Sequence, residues 1–344
     1  MKDISSTASF VDFTLENFIY VDKTEYIPKL VKLKRVFISR PRRFGKSLTL
    51  DTIGTLFEKG VEPYFKDTWI YDKWTEPTYP VFRLSFLNLD NSSLDLFKKQ
   101  LNSIISEFAN KINVKGYVKK TEPEDSILSL LEKLEEETRQ IVILIDEYDY
   151  QLTSNINNDA LYKQFQQKIK RFYANIKDKF AIKFLGITGV TRLKDVEIFS
   201  IGSDINDITN CSPYSQMIGF TRDEIKKYYI DYLKLAASYE NNSTVDNVTE
   251  AQIESLLDRL AKNYDGYCFD EFYKKKVFST WSVNKFFQSV VSNKFVYFGE
   301  YWYDNGGLPS ILVNYLKTHE LNIFDYLDKN KSLKVTDDDF KNPT

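Results

Sequence analysis

Apolar residues cluster along this chain with two distinct spacings. Short apolar-rich runs occur at Arg35–Ser39 (RVFIS), at 81–87, at 141–145 and at 182–187. Their length and β-branched content predict strands, and runs apolar on every position predict strands buried on both faces. Between them the apolar positions recur at helical spacing. Leu50, Ile53, Leu56 and Phe57 form one stripe, with Gly60 as its stop. Ile127, Leu130, Leu131 and Leu134 form a second, and Leu161, Phe165, Ile169, Phe172 and Ile176 a third. Strands alternating with helices predict an α/β core with a mostly parallel sheet. MIGF (Met217–Phe220) reads as its last strand, and TRDE then opens a helix with a capping box of Thr221 and Glu224. The expected division is a core over 1–219 and a helical domain over 220–344, with the polar stretch ENNSTVDNVTE as a loop inside it.

The stretch SRPRRFGKSL (Ser39–Leu48) lies where the first strand turns into a helix. It ends like a phosphate-binding loop, G-x-x-x-x-G-K-[ST], with Gly45, Lys46 and Ser47, but Arg40 holds the place of the first glycine. The amides at a helix start carry partial positive charge and bind anions. The segment Arg42, Arg43, Phe44, Gly45, Lys46, Ser47 and Leu48 is therefore the candidate triphosphate cradle, with Lys46 reaching the β- and γ-phosphates and the Ser47 hydroxyl on magnesium. Arg40 resists the backbone angles open to glycine, and Pro41 biases it toward extended geometry. Arg40, Arg42 and Arg43 are candidates to add charge at the phosphates, or else solvated charges.

A second motif supports the first. IVILIDEYD (Ile141–Asp149) ends a buried strand in acids, at the sheet edge where α/β proteins bind ligands. Asp146 suits a magnesium-ordering carboxylate and Glu147 a base that orients attacking water. The next strand, in AIKFLGITGVTR, ends near Thr188, a candidate polar sensor, with Arg192 a few residues on. The loop amides and the carboxylates of Asp146 and Glu147 are expected to converge on one pocket from adjacent strands. YVDKTEYI (Tyr20–Ile27) reads either as a cover for the base, through Tyr20, Val21 or Ile27, or as a plain helix start capped by Asp22.

Composition narrows the chemistry. The formal net charge is −2 over 344 residues, so no general attraction to nucleic acid or anionic membrane is implied. The single histidine, His319, argues against Ser-His, Cys-His and histidine-zinc chemistry. Cys211 and Cys268 have neither metal-site nor disulfide-framework spacing. No apolar run reaches membrane-spanning length and the start lacks a signal-peptide core, which reads as a soluble cytoplasmic protein. NYDGYCFDEFYKKK and YFGEYWYDNGG are aromatic-rich, with Gly306 and Gly307 marking a turn. They read as domain packing, or as a protein or nucleic-acid surface.

Together, NFIYVDKTEYIPKLV, FISRPRRFGKSLTL, YPVFRLSF, VILIDEYD, ITGVTRLKDVEIFS, MIGFTRDEI, YDGYCF, WSVNKFF and YWYDNGG, in this order, resemble the AAA-ATPase-like family of bacterial proteins. Its members often carry a C-terminal nuclease-like domain of the PD-(D/E)XK type. The resemblance implies a P-loop NTPase core plus a C-terminal helical lid, with ATP and Mg2+ as ligands. It also makes the glycine-less loop a family feature. Two departures stand out. Gln151 follows DEYDY where relatives commonly have proline, and the chain stops at Thr344, about where the nuclease-like domain would start. The only D/E-x-K match weighed, EIK (Glu224–Lys226), falls on a predicted helix and is set aside. The expected function is slow ATP hydrolysis coupled to lid closure and to regulation of an effector supplied elsewhere. A homo-oligomer, with an arginine lent by a neighbour, is compatible with this. The rival readings are a non-catalytic module binding protein or nucleic acid, and a small-molecule kinase.

Overall fold

The structure, a computed structural model, describes residues 1–192 and 204–301. His319, Gly306, Gly307 and most of YWYDNGG lie outside them. In chain order the elements are α1 (Phe10–Leu15), α2 (Ile27–Leu33), β1 (Arg35–Ser39), α3 (Lys46–Lys59), β2 (Val81–Ser85), α4 (Leu94–Lys111), α5 (Pro123–Glu136), β3 (Ile141–Asp146), α6 (Tyr150–Ser154), α7 (Asp159–Ile176), β4 (Ile182–Gly189) and β5 (Asn206–Asp207). Then follow α8 (Arg222–Tyr228), α9 (Ile230–Glu240), α10 (Glu250–Tyr264), the hairpin strands β6 (Asp265–Cys268) and β7 (Lys276–Phe278), and α11 (Thr280–Asn293).

The five-stranded sheet has the order β2-β3-β4-β1-β5, with every pairing parallel. The fold is α/β. β3 shows why its sequence is apolar at every position. Ile141, Ile143 and Ile145 face one core with α4, α5 and α7, while Val142 and Leu144 face the other with α2 and α3. Alternate side chains of a strand point to opposite faces, so a strand covered on both sides needs apolar residues throughout. The predicted helical stripes behave likewise. Ile127, Leu130, Leu131 and Leu134 of α5 and Phe165, Ile169, Phe172 and Ile176 of α7 are buried in the first core, with Leu161 half-buried against it.

Two expectations are corrected. β1 and β3 are not adjacent, because β4 lies between them. MIGF forms no strand of this sheet. The edge strand is the two-residue β5, paired with Val36 and Phe37, and Phe220 instead makes an isolated bridge to Phe278. Met217 and Ile218 are buried in the second core, so the apolar signal there reports packing and not strand pairing.

The third core is helical. Ile225, Leu233, Leu256, Leu260, Val283 and Phe287 of α8–α11 pack together with Tyr229 between α8 and α9, joined by Ile19 and Val21 from the N-terminal segment. Thr221 and Glu224 form the expected capping box, which places EIK on α8. Glu224 also receives the buried ammonium of Lys23 at 2.6 Å, tying the N-terminal segment to this unit.

Candidate functional site

The parallel register brings the C-terminal ends of three strands together. Ile38 of β1 pairs with Thr188 of β4, and Ile145 of β3 pairs with Ile187. Asp146, the last residue of β3, therefore stands beside Thr188. Both face the loop that leaves β1. Gly45, the residue before α3, has φ of +98°, a backbone that side-chain-bearing residues rarely adopt. No atom lies within 4 Å of where a Cβ would be, so conformation and not crowding demands glycine there.

Asp146 is the hub. Its Oδ2 accepts from Ser47 Oγ at 2.5 Å, and its Oδ1 accepts from the Thr188 hydroxyl and from the Glu147 amide at 3.0 Å. Glu147 has φ of +51°, a left-handed turn that costs a non-glycine residue roughly 1–2 kcal/mol. That turn coincides with two contacts: the Glu147 carboxylate lies 3.5 Å from Lys46 Nζ, and the Tyr148 amide bonds the Thr188 carbonyl at 3.1 Å. Lys46 is only 4 % exposed, and its ammonium also donates to the Pro41 carbonyl at 3.2 Å. Burial raises the pKa of Glu147 above the ordinary carboxylate value. Lys46 opposes that shift, while Asp149 and Asp146 add to it.

The remaining loop residues make contacts outside this cluster, although Arg43 and Phe44 also line the cavity beside it. Phe44 is buried edge-on against Tyr267 and Phe269 of the hairpin region, with ring centroids at 4.6 and 5.8 Å. Arg43 stacks over the Trp281 ring at 4.2 Å, and its carbonyl accepts from Thr280 Oγ1 at 2.8 Å. Arg42 is exposed, and its charge reaches Glu147 through space. Arg40 is buried. Its Nη1 donates to the carbonyls of Ser39 (2.8 Å) and Thr209 (2.6 Å), and its guanidinium lies 4.0 Å from the Phe269 ring centroid. Burial pushes the Arg40 pKa down to about 9, with Asp207 opposing. Arg192 is half exposed and pairs with Asp207 of β5 at 2.8 Å, on the β1 side of the sheet.

A cavity of about 330 Å³ opens beside this cluster. Lys46, Ser47, Leu48 and Glu147 line one part of it. Tyr20, Val21 and Ile27 line another, and Met217–Phe220, Tyr229 and Trp281 close it from the C-terminal side. In the same segment Asp22 Oδ1 accepts from the Thr24 amide at 2.9 Å, although the helix caps themselves are Lys23 and Tyr26. The phenols of Tyr20 and Tyr229 have pKa values raised by burial.

Asp149 is a residue that sequence reasoning missed. It is buried, and it accepts from the Val190 and Thr191 amides and from the Thr191 hydroxyl. The third acid of IDEYD thus fixes the turn after β4 that follows Thr188. Its signal was visible as a further acid, but only the neighbouring strand shows what it bonds. Gln151, at the family's proline position, donates to the Phe86 carbonyl at 2.7 Å.

Among the described residues no group of three or more His, Cys, Asp or Glu side chains could hold a metal unaided. The oxygen pair of Ser47 and Asp146 suits a hard cation that completes its shell with phosphate and water oxygens. No helix among the described residues is long and apolar enough to cross a membrane.

The family model described as Predicted AAA-ATPase matches residues 5–199. The chain is similar to the "Uncharacterized protein in vnfD 5'region" of Azotobacter chroococcum mcd 1, with 28% identity over 247 residues, 63% of this chain and 45% of that protein. Among solved structures it is similar to Cdc6p from Pyrobaculum aerophilum, with 16% identity, 60% of this chain and 47% of that chain covered, and a TM-score of 0.31. That superposition is too loose to place any residue. The chain spans just under half the length of each of these two proteins.

Proposed function

The chain belongs to the predicted AAA-ATPase family, and from that premise we propose that it binds ATP with Mg2+ and hydrolyses it slowly. The observation that carries this reading is the convergence of Ser47, Thr188 and Asp146 with the Lys46–Glu147 pair beside one cavity, which Lys46, Ser47 and Glu147 line. The cavity divides by chemistry. Its apolar part between Tyr20, Val21, Ile27 and Tyr229 suits a flat base, and its Gly45–Leu48 end suits a polyphosphate.

Each polar residue has a role in this reading. Lys46 leaves Glu147 for the terminal phosphates and balances their charge. Ser47 and Asp146 would hold a magnesium ion, which would supply positive charge beside the phosphate oxygens. Thr188 keeps Asp146 in its rotamer and stands beside the terminal phosphate. Glu147, released from Lys46, takes a proton from the attacking water. Arg192, as a further contact, would first have to leave Asp207.

The C-terminal unit α8–α11 supplies a wall of the same cavity, which supports a lid role, since a nucleotide touching both units favours the closed arrangement. Regulation of an effector, nuclease-like in relatives, rests on the family resemblance. The test is turnover of radiolabelled ATP by wild type and Lys46→Ala, beside the thermal shift produced by ATP and magnesium. Turnover in the wild type alone is expected. Equal rates in both proteins would refute hydrolysis at this site, and no shift at millimolar ATP would refute binding.

A further inference from the structure

The loop between β1 and α3 is fastened to the C-terminal elements at both of its ends. At its entry, Arg40 keeps its backbone in the sheet, with its amide on the Gly189 carbonyl at 3.1 Å, while its side chain crosses to Thr209 and Phe269. Nε and Nη2 of this 1 % exposed side chain have no hydrogen-bond partner among the described residues. Two carbonyls, one aromatic face and the nearby charge of Asp207 are what hold this buried cation. At its exit, Phe44 sits against the same Phe269 and against Tyr267. The rings of Tyr267 and Phe269 are themselves stacked, with centroids 6.3 Å apart and planes at 17°. The aromatic wall thus spans the loop from residue 40 to residue 44, one side chain beyond each end of Pro41–Arg43.

The wall lies on and just beyond strand β6 of an anchored hairpin. β6 and β7 pair antiparallel, and Val277 is buried in the sheet's second core while Phe278 is buried in the helical core. Past Phe269 the Asp270 carboxylate accepts from the amides of Phe272, Lys274 and Lys275, which fixes the tip. A displacement of the loop cannot be absorbed by a soft tip and must move the hairpin against one core or the other, because packed interiors transmit strain.

We propose that Arg40 is a positioning residue: at the place where such loops ordinarily carry their first glycine, it clamps the loop to the β6–β7 hairpin, so that phosphate binding at the loop is transmitted to the hairpin. The proposal rests on reading the loop as the phosphate site. A glycine at position 40 would let the loop adjust to phosphate alone. An arginine clamped to Phe269 makes the hairpin adjust with it. The loop's missing glycine then has a function of its own, which is to couple occupancy of the site to an element outside it.

Hydrogen exchange on the full chain tests this, with wild type, Phe269→Ala and the charge-conserving Arg40→Lys compared without nucleotide and with ATP and magnesium. Lysine keeps the charge and a donor for the carbonyls but lacks the planar guanidinium face that lies over the Phe269 ring. Without nucleotide, both variants are expected to exchange the amides of residues 42–45 at least 10-fold faster than wild type. Unchanged loop exchange in both would overturn the clamp whether or not nucleotide binds. With nucleotide, wild type is expected to alter protection at residues 265–278 as well as at the loop, and the variants at the loop alone. A wild-type hairpin that ignores a protected loop, or variants whose hairpin responds as wild type does, would overturn the proposal and leave the ATP-binding reading standing. Failure of ATP to protect even the wild-type loop would count against that reading instead. Should Phe269→Ala not fold, Arg40→Lys carries both comparisons.

Discussion

Replacing Lys46 by methionine would strand Glu147, and the structure sets how much that can cost. The two groups lie 3.5 Å apart, and Glu147 is only 15% exposed. At an effective dielectric constant of about 20 their gross attraction is about 5 kcal/mol. The net value is smaller, since both ions are desolvated. In Lys46→Met the carboxyl has an escape, because it can take up a proton. An unfolded glutamate titrates near 4.3, so protonation in the fold costs at most about 4 kcal/mol at pH 7 and about 1 kcal/mol at pH 5. The sign follows from proton counting. In that window the folded variant holds a proton that the unfolded chain releases, so stability rises as the pH falls. Urea unfolding of Lys46→Met, Glu147→Gln and the double variant at the two pH values measures this. The single lysine variant should lose up to about 4 kcal/mol at pH 7 and recover most of it at pH 5. The double variant should recover it at pH 7, because the amide carries no charge. An equal deficit at both pH values, or a double variant no more stable than Lys46→Met, would refute the pairing as the reason Lys46 can be buried.

Other outcomes follow from the same geometry. Thr188→Val removes a donor to the Asp146 carboxylate at near-constant shape. It should cost about 1.5–3 kcal/mol in urea unfolding and lower ATP turnover more than ATP affinity, as isothermal titration and steady-state rates would show. Burial raises the pKa of Glu147, and a base must be ionised to work, so activity should fall on acidification at a pH above the ordinary glutamate value of about 4.3. A pH–rate profile of the wild type measures that limb, and one falling only at or below that value would contradict the base role. Gly189→Ala would place a Cβ 2.8 Å from Asp149 Oδ1 and closer still to the Tyr148 ring. Overpacking of this kind costs about 1–3 kcal/mol. Thermal unfolding should therefore shift downward, although Gly189 touches no proposed ligand.

Local sequence determined a good deal by itself. The all-apolar run Ile141–Ile145 could only be a strand covered on both faces, and the stripes of α5 and α7 had one face to bury. Glycine at 45, followed by lysine and serine at a strand-to-helix turn, marked the loop, and the acids after β3 marked the facing edge. Backbone geometry and side-chain period are local properties, so these features survive without knowledge of the partners. The tertiary structure decided what the partners are. It put β4 between β1 and β3, which is why Thr188 joins Ser47 in orienting Asp146. It brought the hairpin and α11 against Arg40, Arg43 and Phe44, contacts that the loop's own sequence does not announce. Arg192 was drawn to Asp207, and Asp149 to the turn beyond β4, by the same kind of long-range neighbour. The direction a side chain takes at a loop depends on which surface a distant segment brings to it. That distant surface, here the β6–β7 hairpin more than 200 residues along the chain, leaves no mark in the spacing of the loop itself.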